Sequence, residues 1–127
     1  MLFLSNPFFK TMRKRYRIKK SSEIDAIFKK KNIKGDSYFA VYQDTDLEAK
    51  HFRFALSIGR KYGNAVERNL CKRRLRMIIS ELSNQFIINK LFVIVIKPAV
   101  KELDYQEIKE KLTTILEKSK LMEKANE

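Results

Sequence analysis

The sequence predicts a single α+β domain in which three helices pack with a mixed sheet of roughly four strands, in the order α-β-β-(β)-α-β-α. Two observations carry this prediction. Segments rich in β-forming residues alternate with segments of helical periodicity, and residues 91–96 form a continuous apolar run. A chain of 127 residues with 44% hydrophobic content can bury a core without disulfides or metals.

A short helix is predicted first, starting at Ser21 or Ser22 and ending near residue 30. Both serines are favoured N-cap residues, and Asp25 stands three positions after Ser22, as in a capping box. The apolar residues of this helix share one face: Ile24, Ile27 and Phe28.

Two segments of strand character follow the helix. Residues 37–43 are rich in aromatic and branched side chains, and residues 51–58 alternate between apolar and polar. We expect these strands to pair as an antiparallel hairpin with residues 43–50 as its loop. A further short strand is expected at residues 32–34.

The second half of the chain predicts two helices and one strand. The apolar run 91–96 is typical of an interior strand that is covered on both faces. A long central helix is expected over residues 65–83, and a last helix after Asp104 and Glu107, which are spaced as in a capping box. The central helix has an apolar stripe formed by Cys71, Leu75, Ile78 and Leu82.

We expect the domain to span residues 12–118, because the basic tract starts directly after Met12. Residues 1–11 are expected to be a disordered extension translated from an upstream start codon, and residues 119–127 a frayed tail. A single cysteine, and no apolar run of about 18 residues, predict a reducing, cytoplasmic setting without a membrane span.

The net charge of +13 indicates a polyanionic partner, since such an imbalance destabilises a compact chain through self-repulsion. The basic residues are also concentrated: residues 60–76 carry seven Lys and Arg with Glu67 as the only acid. Residues 13–20 are basic at six of eight positions, for which a solvated arm is the plain alternative. This basic arm comprises Arg13, Lys14, Arg15, Arg17, Lys19 and Lys20.

The central helix presents its basic residues on one face. Arg68, Lys72 and Arg76 recur every four residues, with Asn69 and Arg73 beside them. Such a face can contact successive phosphates, whereas solvated helix faces usually alternate in the sign of their charge. We therefore favour a nucleic acid as the partner.

The turn before the central helix adds a second anion-binding feature. Arg60 and Lys61 precede the helix N-terminus, where free N–H groups favour an anion. Gly63 in this turn is expected to adopt a backbone conformation that other residues resist.

Charge alone does not distinguish DNA from RNA, but a second surface bears on the question. Ile24 and Phe28 on the first helix, with Phe39 or Tyr42 on the sheet, would place aromatic rings beside a basic rim. Unstacked single-stranded nucleotides stack on such rings. The alternative is that these residues belong to an ordinary core.

The order of residues in 57–76 resembles the signature of the bacterial ribonuclease P protein subunit, and the similarity extends over about residues 12–118. The residues that carry it are Ser57, Ile58, Arg60, Lys61, Gly63, Asn64, Ala65, Val66, Arg68, Asn69, Lys72, Arg73 and Arg76. The resemblance implies a small basic protein that joins a catalytic RNA, one protein per RNA, to remove the 5′ leader from precursor tRNA. It implies that the RNA carries the chemistry with Mg²⁺ and that the protein needs no cofactor.

The resemblance also implies roles for particular residues. The leader would bind in a cleft of Ile24, Phe28, Phe39 and Tyr42, although the family commonly has an aromatic at the position of Ile24. Leu70 replaces a residue that is frequently basic. A left-handed crossover between the last two strands is implied, where the general rule predicts a right-handed one. The catalytic RNA would be contacted by Arg60, Lys61, Asn64, Arg68, Asn69, Lys72, Arg73 and Arg76.

No set of residues for catalysis or metal binding stands out elsewhere. His51 has no second histidine or carboxylate beside it in the pattern, and Cys71 falls on the apolar stripe. The acidic residues between 44 and 48 lack the spacing of a calcium loop. A general nucleic-acid-binding module, such as a ribosomal-type protein, and a self-sufficient nuclease remain the competing hypotheses.

Overall fold

The computed structural model describes residues 15–122, which form three helices and four strands in the predicted order, with bounds within about two residues of those expected. The expected extension 1–11 lies outside the described residues. The elements are α1 (Ser21–Lys30), β1 (Ile33–Gly35), β2 (Phe39–Thr45), β3 (Arg53–Ile58), α2 (Ala65–Glu81), β4 (Lys90–Ile96) and α3 (Tyr105–Lys118). Short 3-10 turns connect them at Arg60–Tyr62, Ser83–Gln85 and Pro98–Glu102.

The sheet has the strand order β1-β2-β4-β3, with β4 antiparallel to β2 and parallel to β3. The expected hairpin of residues 37–43 and 51–58 is therefore wrong, because β4 lies between these two strands. As the most apolar segment of the chain, β4 gains most from a central position where both faces are covered and both edges are paired. The left-handed sense of the β3-α2-β4 crossover stays a prediction.

Helix α1 begins differently from the prediction. The residue that precedes it is Lys20, whose extended backbone carbonyl accepts hydrogen bonds from the N–H groups of Glu23 and Ile24 at 3.1 and 3.2 Å. No side chain caps this end, so the predicted N-cap roles of Ser21 and Ser22 are wrong. The chain enters the helix directly from an extended segment, which places both serines inside the first turn.

The two faces of the sheet are covered by different helices. Helices α2 and α3 pack on one face and α1 on the other. The predicted apolar stripe of α2 is buried against the first face, and the capping box of α3 is present, with the Glu107 N–H donating to Asp104 Oδ1 at 2.9 Å. At one end of this core, four rings pack together with centroids 4.5 to 6.3 Å apart: Phe52, Phe54, Phe86 and Phe92.

Helix α1 is held on its face of the sheet mainly by apolar burial. Ile27 is buried against Ala55 and Val93, with Ile24 and Phe28 half-buried beside it. A fully buried side chain of this size contributes about 1.5–3 kcal/mol. The ion pair between Glu23 and Arg53, at 3.1 Å and about one third exposed, contributes about 1 kcal/mol or less. Packing therefore positions α1, and the ion pair adds orientation.

The tail does not begin to fray at residue 119. Ser119, Leu121 and Met122 are buried, and the Ile87 N–H donates to the Leu121 carbonyl at 2.9 Å. The buried Gln43 side chain donates to the Ser119 carbonyl at 2.6 Å. The predicted boundary is wrong for these residues, because a buried amide of the sheet needs an acceptor that this segment supplies. Residues 123–127 lie outside the described part of the chain.

The packing of this segment can be tested with Leu121→Ala. The side chain is fully buried, so its truncation should lower the free energy of unfolding by about 2–5 kcal/mol through lost burial and a cavity. Urea denaturation measures the change, with Lys118→Ala at an exposed position as the matched control. Equal stabilities of the two variants would contradict the packed tail.

Candidate nucleic-acid interface

The N-terminus of α2 is closed by a capping box. The Glu67 N–H donates to Asn64 Oδ1, and the Asn64 N–H donates to Glu67 Oε1, both at 2.9 Å. These reciprocal bonds satisfy donors that the helix end would otherwise leave free. The single acid of the basic stretch thus has a structural role, and the oxygen of the Asn64 side chain is committed to the helix rather than to an external partner.

Gly63 is required here by space and not by an unusual backbone. Its φ of 160° is extended, so the expected special conformation is wrong. A Cβ atom at this position would instead collide with the Glu67 carboxylate and lie 3.2 Å from the Lys101 ammonium. The glycine therefore leaves room for the capping carboxylate.

The Glu67 carboxylate is stabilised in its charged form. The backbone hydrogen bond with Asn64 and then the contact with Lys101, at 3.2 Å, lower its pKa. Because the pKa is depressed in the folded state, this contribution to stability is present above the ordinary pKa of a glutamate and is lost as the pH falls. The capping box thus occupies the N–H groups of Asn64 and Glu67, and binding of an external anion beside Arg60 and Lys61 stays a prediction.

The basic face of α2 is formed as predicted, although its side chains differ in solvent exposure. Asn69 and Arg73 are exposed, whereas Arg68, Lys72 and Arg76 are half-buried. The Arg68 guanidinium donates to the Gly63 carbonyl at 2.8 Å, which ties it to the turn. Its remaining N–H groups leave it able to bind a phosphate from a fixed position. Arg60 and Lys61, at the start of the turn, are exposed.

The basic arm is partly docked on the fold. Arg13 and Lys14 lie outside the described residues, and Arg15, Lys19 and Lys20 are exposed. The chain at residues 16–18 pairs with Phe54 at the outer edge of β3, through two backbone hydrogen bonds of 2.7 and 2.8 Å. A solvated arm is thus the wrong description for this part of the tract.

A cavity of about 240 Å³ brings three predicted groups of residues together. Arg17 and Lys19 of the basic arm, Arg76 of the central helix and Ile24 of α1 line it, together with the edge of β3 at Leu56. From the sequence, these residues were expected on separate surfaces. In the folded chain they share one site, with cationic side chains on two sides and an apolar wall on another.

The aromatic surface contains two of the predicted rings. Phe28 and Tyr42 pack edge to face with centroids 4.7 Å apart, and both are half-buried on the α1 side of the sheet beside Ile24. Phe39 lies on the opposite face, fully buried against α2 and α3. Its predicted place in the cleft is wrong, because residues three apart on a strand face opposite sides.

The other reactive side chains serve the fold. Burial raises the pKa of the Cys71 thiol, and burial together with the hydrogen bond to Cys71 raises that of Tyr62. Cys71 is therefore an unreactive core thiol, as predicted. Within residues 15–122, no group of three or more His, Cys, Asp or Glu side chains is placed to hold a metal ion. No helix in the same range is long and apolar enough to cross a membrane.

Two features of this site escaped the sequence analysis. Arg74 faces a different cavity, shared with Tyr62, Cys71 and Lys101, and so is separated from the other basic residues of α2. The docking of residues 16–18 on β3 was also missed. The helical period does place Arg74 outside the basic face, whereas the docking is a pairing between distant segments that leaves no local pattern.

The mixed sheet, the basic helix and the half-exposed aromatic pair define a small α+β protein with a surface suited to a nucleic acid. A model of the ribonuclease P family matches residues 12–120. The chain therefore belongs to the family of ribonuclease P protein components. It does not group with general nucleic-acid-binding modules.

Named relatives and solved structures agree with this assignment. The ribonuclease P protein component of Acholeplasma laidlawii is 48% identical over 113 residues, covering 89% of this chain and 97% of that protein. The component from Bacillus cereus is 39% identical over 108 residues, covering 85% and 94%. The structure of a Staphylococcus aureus RNase P protein mutant superposes with a TM-score of 0.84 at 31% identity, covering 93% of this chain and 100% of that one.

The role of Asn64 can be separated into capping and RNA contact. Asn64→Ala should lower the free energy of unfolding by about 1 kcal/mol, because the Glu67 N–H loses its acceptor. Asn64→Ser keeps a capping oxygen and should preserve both stability and RNA affinity. Thermal denaturation and RNA titration measure the two properties. A stable Asn64→Ser variant with weakened RNA binding would show that the amide itself contacts RNA.

Proposed function

We propose that this protein binds the ribonuclease P catalytic RNA through the basic face of α2, one protein per RNA, in the cytoplasm. The contacting side chains are inferred to be Arg60, Lys61, Arg68, Asn69, Lys72, Arg73 and Arg76, with Asn64 supporting them as the helix cap. Support comes from the concentration of cations along this face, since the single acid of the stretch is paired with the helix cap and with Lys101. Such a face suits the backbone of a folded RNA.

The chemistry is assigned to the RNA partner and its Mg²⁺ ions. Two reactive side chains are engaged within the fold: the one cysteine is buried, and the His51 ring stacks on Tyr16. In this proposal the protein has no cofactor of its own. It lowers the cost of bringing two polyanions together by placing cations between them.

We further propose that the 5′ leader of precursor tRNA runs along the α1 side of the sheet, over Phe28 and Tyr42 and past Ile24. The observation that carries this proposal is the shared cavity of Arg17, Lys19, Ile24 and Arg76, because cations and an apolar wall meet there. Half-exposed rings beside that cavity suit bases of a single strand. Leader and catalytic RNA would then bind on adjoining parts of one surface.

The function is tested by reconstitution. Purified protein is mixed with the ribonuclease P RNA and precursor tRNA at low Mg²⁺ and near-physiological salt, and cleavage of the 5′ leader is followed. We expect the protein to increase cleavage above that by RNA alone and to show no cleavage without RNA. Failure to increase cleavage would refute the subunit assignment. Cleavage by the protein alone would place the chemistry on the protein.

The leader surface is tested with Phe28→Leu, which keeps apolar volume and removes the ring. Stacking of a base on an aromatic side chain contributes about 1–3 kcal/mol, so binding of leader-bearing precursor to the holoenzyme should weaken by about that amount. Binding of mature tRNA should be unchanged. A thermal melt of the variant controls for packing against Tyr42. Equal losses for precursor and mature tRNA would contradict leader contact at this position.

The docking face is tested by comparing two neighbouring arginines that lie on different sides of α2. Arg73→Ala should weaken binding to the catalytic RNA and flatten the slope of log affinity against log salt by up to about one. Arg74→Ala is the matched control, since Arg74 faces the cavity with Tyr62 and Cys71. The same slope for Arg73→Ala and the wild type would mean that Arg73 does not contact phosphate.

A further inference from the structure

The basic arm is attached to the domain by an aromatic anchor. The Tyr16 ring is half-buried and stacks on the ring of His51, with centroids 4.1 Å apart and planes inclined by 29°. On its other side the same ring contacts Phe52 at 4.6 Å. Phe52 continues into the buried ring cluster through Phe86, at 4.5 Å. The anchor is therefore continuous with the core.

The backbone beside this anchor is paired only briefly. The Phe54 N–H donates to the Tyr16 carbonyl at 2.7 Å, and the Ile18 N–H donates to the Phe54 carbonyl at 2.8 Å. Two hydrogen bonds at a sheet edge compete with water and do not hold an arm by themselves. Apolar contact that these bonds lack comes from the packed ring of Tyr16 on one side of Arg17 and from the Ile18 side chain on the other. The Ile18 side chain is buried with Ile27, Ala55 and Val93.

Docking of the arm determines where its charges lie. Arg17 and Lys19 follow directly after the anchor and line the cavity across from Arg76. The Nε atom of Arg17 is buried, so the stem of this arginine is packed against the fold. Release of Tyr16 would leave Ile18 as the remaining apolar contact of this segment. Arg17 and Lys19 would therefore occupy the cavity wall in a smaller fraction of molecules.

We propose that Tyr16 is a positioning residue for RNA binding: its ring, held by His51 and Phe52, keeps Arg17 and Lys19 in place to bind the leader phosphates together with Arg76. The proposal rests on the leader-binding role proposed above. An arm that docks in only a fraction of molecules binds with an affinity reduced by that fraction. Tyr16 thus acts through the arm and does not itself contact the RNA.

The experiment measures precursor tRNA binding to the reconstituted holoenzyme for Tyr16→Ala and Tyr16→Phe. Loss of the ring should weaken binding by up to about tenfold, since a packed aromatic pair can shift a docking equilibrium by that factor. Tyr16→Phe keeps the ring and should bind within about twofold of the wild type. Cleavage of bound precursor at saturation should be unchanged in both variants. Equal losses in Tyr16→Ala and Tyr16→Phe would overturn the proposal.

A double-mutant cycle shows whether Tyr16 acts through the arm. In a chain with Arg17→Ala and Lys19→Ala, the additional change Tyr16→Ala should cost little, because the charges that it positions are gone. Additive losses would mean that the Tyr16 ring contacts RNA by itself, and would overturn the proposal. Unchanged precursor binding in the variant with Arg17→Ala and Lys19→Ala would also overturn the proposal.

Two controls separate positioning from general destabilisation. Phe86→Leu weakens the same ring cluster from the far side, and below its melting temperature it should bind as the wild type does. Hydrogen exchange should show lost protection of the Ile18 amide in Tyr16→Ala but retained protection of the Leu75 amide in α2. Weakened binding by Phe86→Leu, or an Ile18 amide that stays protected, would overturn the proposal.

The wild-type holoenzyme distinguishes this proposal from the one on which it rests. If the wild type binds precursor no more tightly than mature tRNA, leader binding itself is refuted. If the wild type does prefer precursor and Tyr16→Ala retains the full preference, only the positioning role is refuted.

Discussion

Burial of β4 on both faces and both edges is the constraint on which the surface chemistry depends. A central β4 that runs parallel to β3 requires a connection that returns to the starting end of the sheet, and α2 forms most of it. The apolar stripe of α2 then lies on the sheet, which turns the opposite, basic side outward. Arg76 reaches the edge of β3 as a result. Placement of the cations is thus a consequence of apolar packing.

Glu67 is the single acid among the seven basic residues between 60 and 76, and it reduces their electrostatic repulsion. Glu67 caps α2 and contacts Lys101, so its charge is paired within the protein. Because the Asn64 and Glu67 N–H groups are bonded within the cap, the RNA contacts that we propose lie on side chains along the helix. Apart from Arg68, which donates to the Gly63 carbonyl, these side chains make no contact with the cap within residues 15–122, whereas Gly63, Asn64 and Glu67 depend on one another.

Patterns of neighbouring residues in the sequence predicted the structural features that depend on interactions between neighbouring residues. Helical and strand periods placed the stripe of α2, the interior character of β4 and the cap of α3, and the residue order of the basic stretch indicated the family. Pairing between distant segments was not predictable in the same way. The predicted hairpin was wrong because β4 lies between β2 and β3, and the predicted fraying from residue 119 was wrong because the buried Gln43 side chain donates to the Ser119 carbonyl. Phe39 was misplaced because two apolar faces of one strand give no sign of which is exposed.

The short pairing of residues 16–18 with Phe54 also bears on association between copies of the chain. Unpaired edge strands are templates for intermolecular sheet formation. Along β3, part of that edge is covered by the arm, and cations flank the remainder at Arg17 and Arg76. The opposite edge is β1, which is only three residues long and carries Lys34. A segment for which we propose a role in RNA binding thereby also protects the edge of a four-stranded sheet against edge-to-edge aggregation.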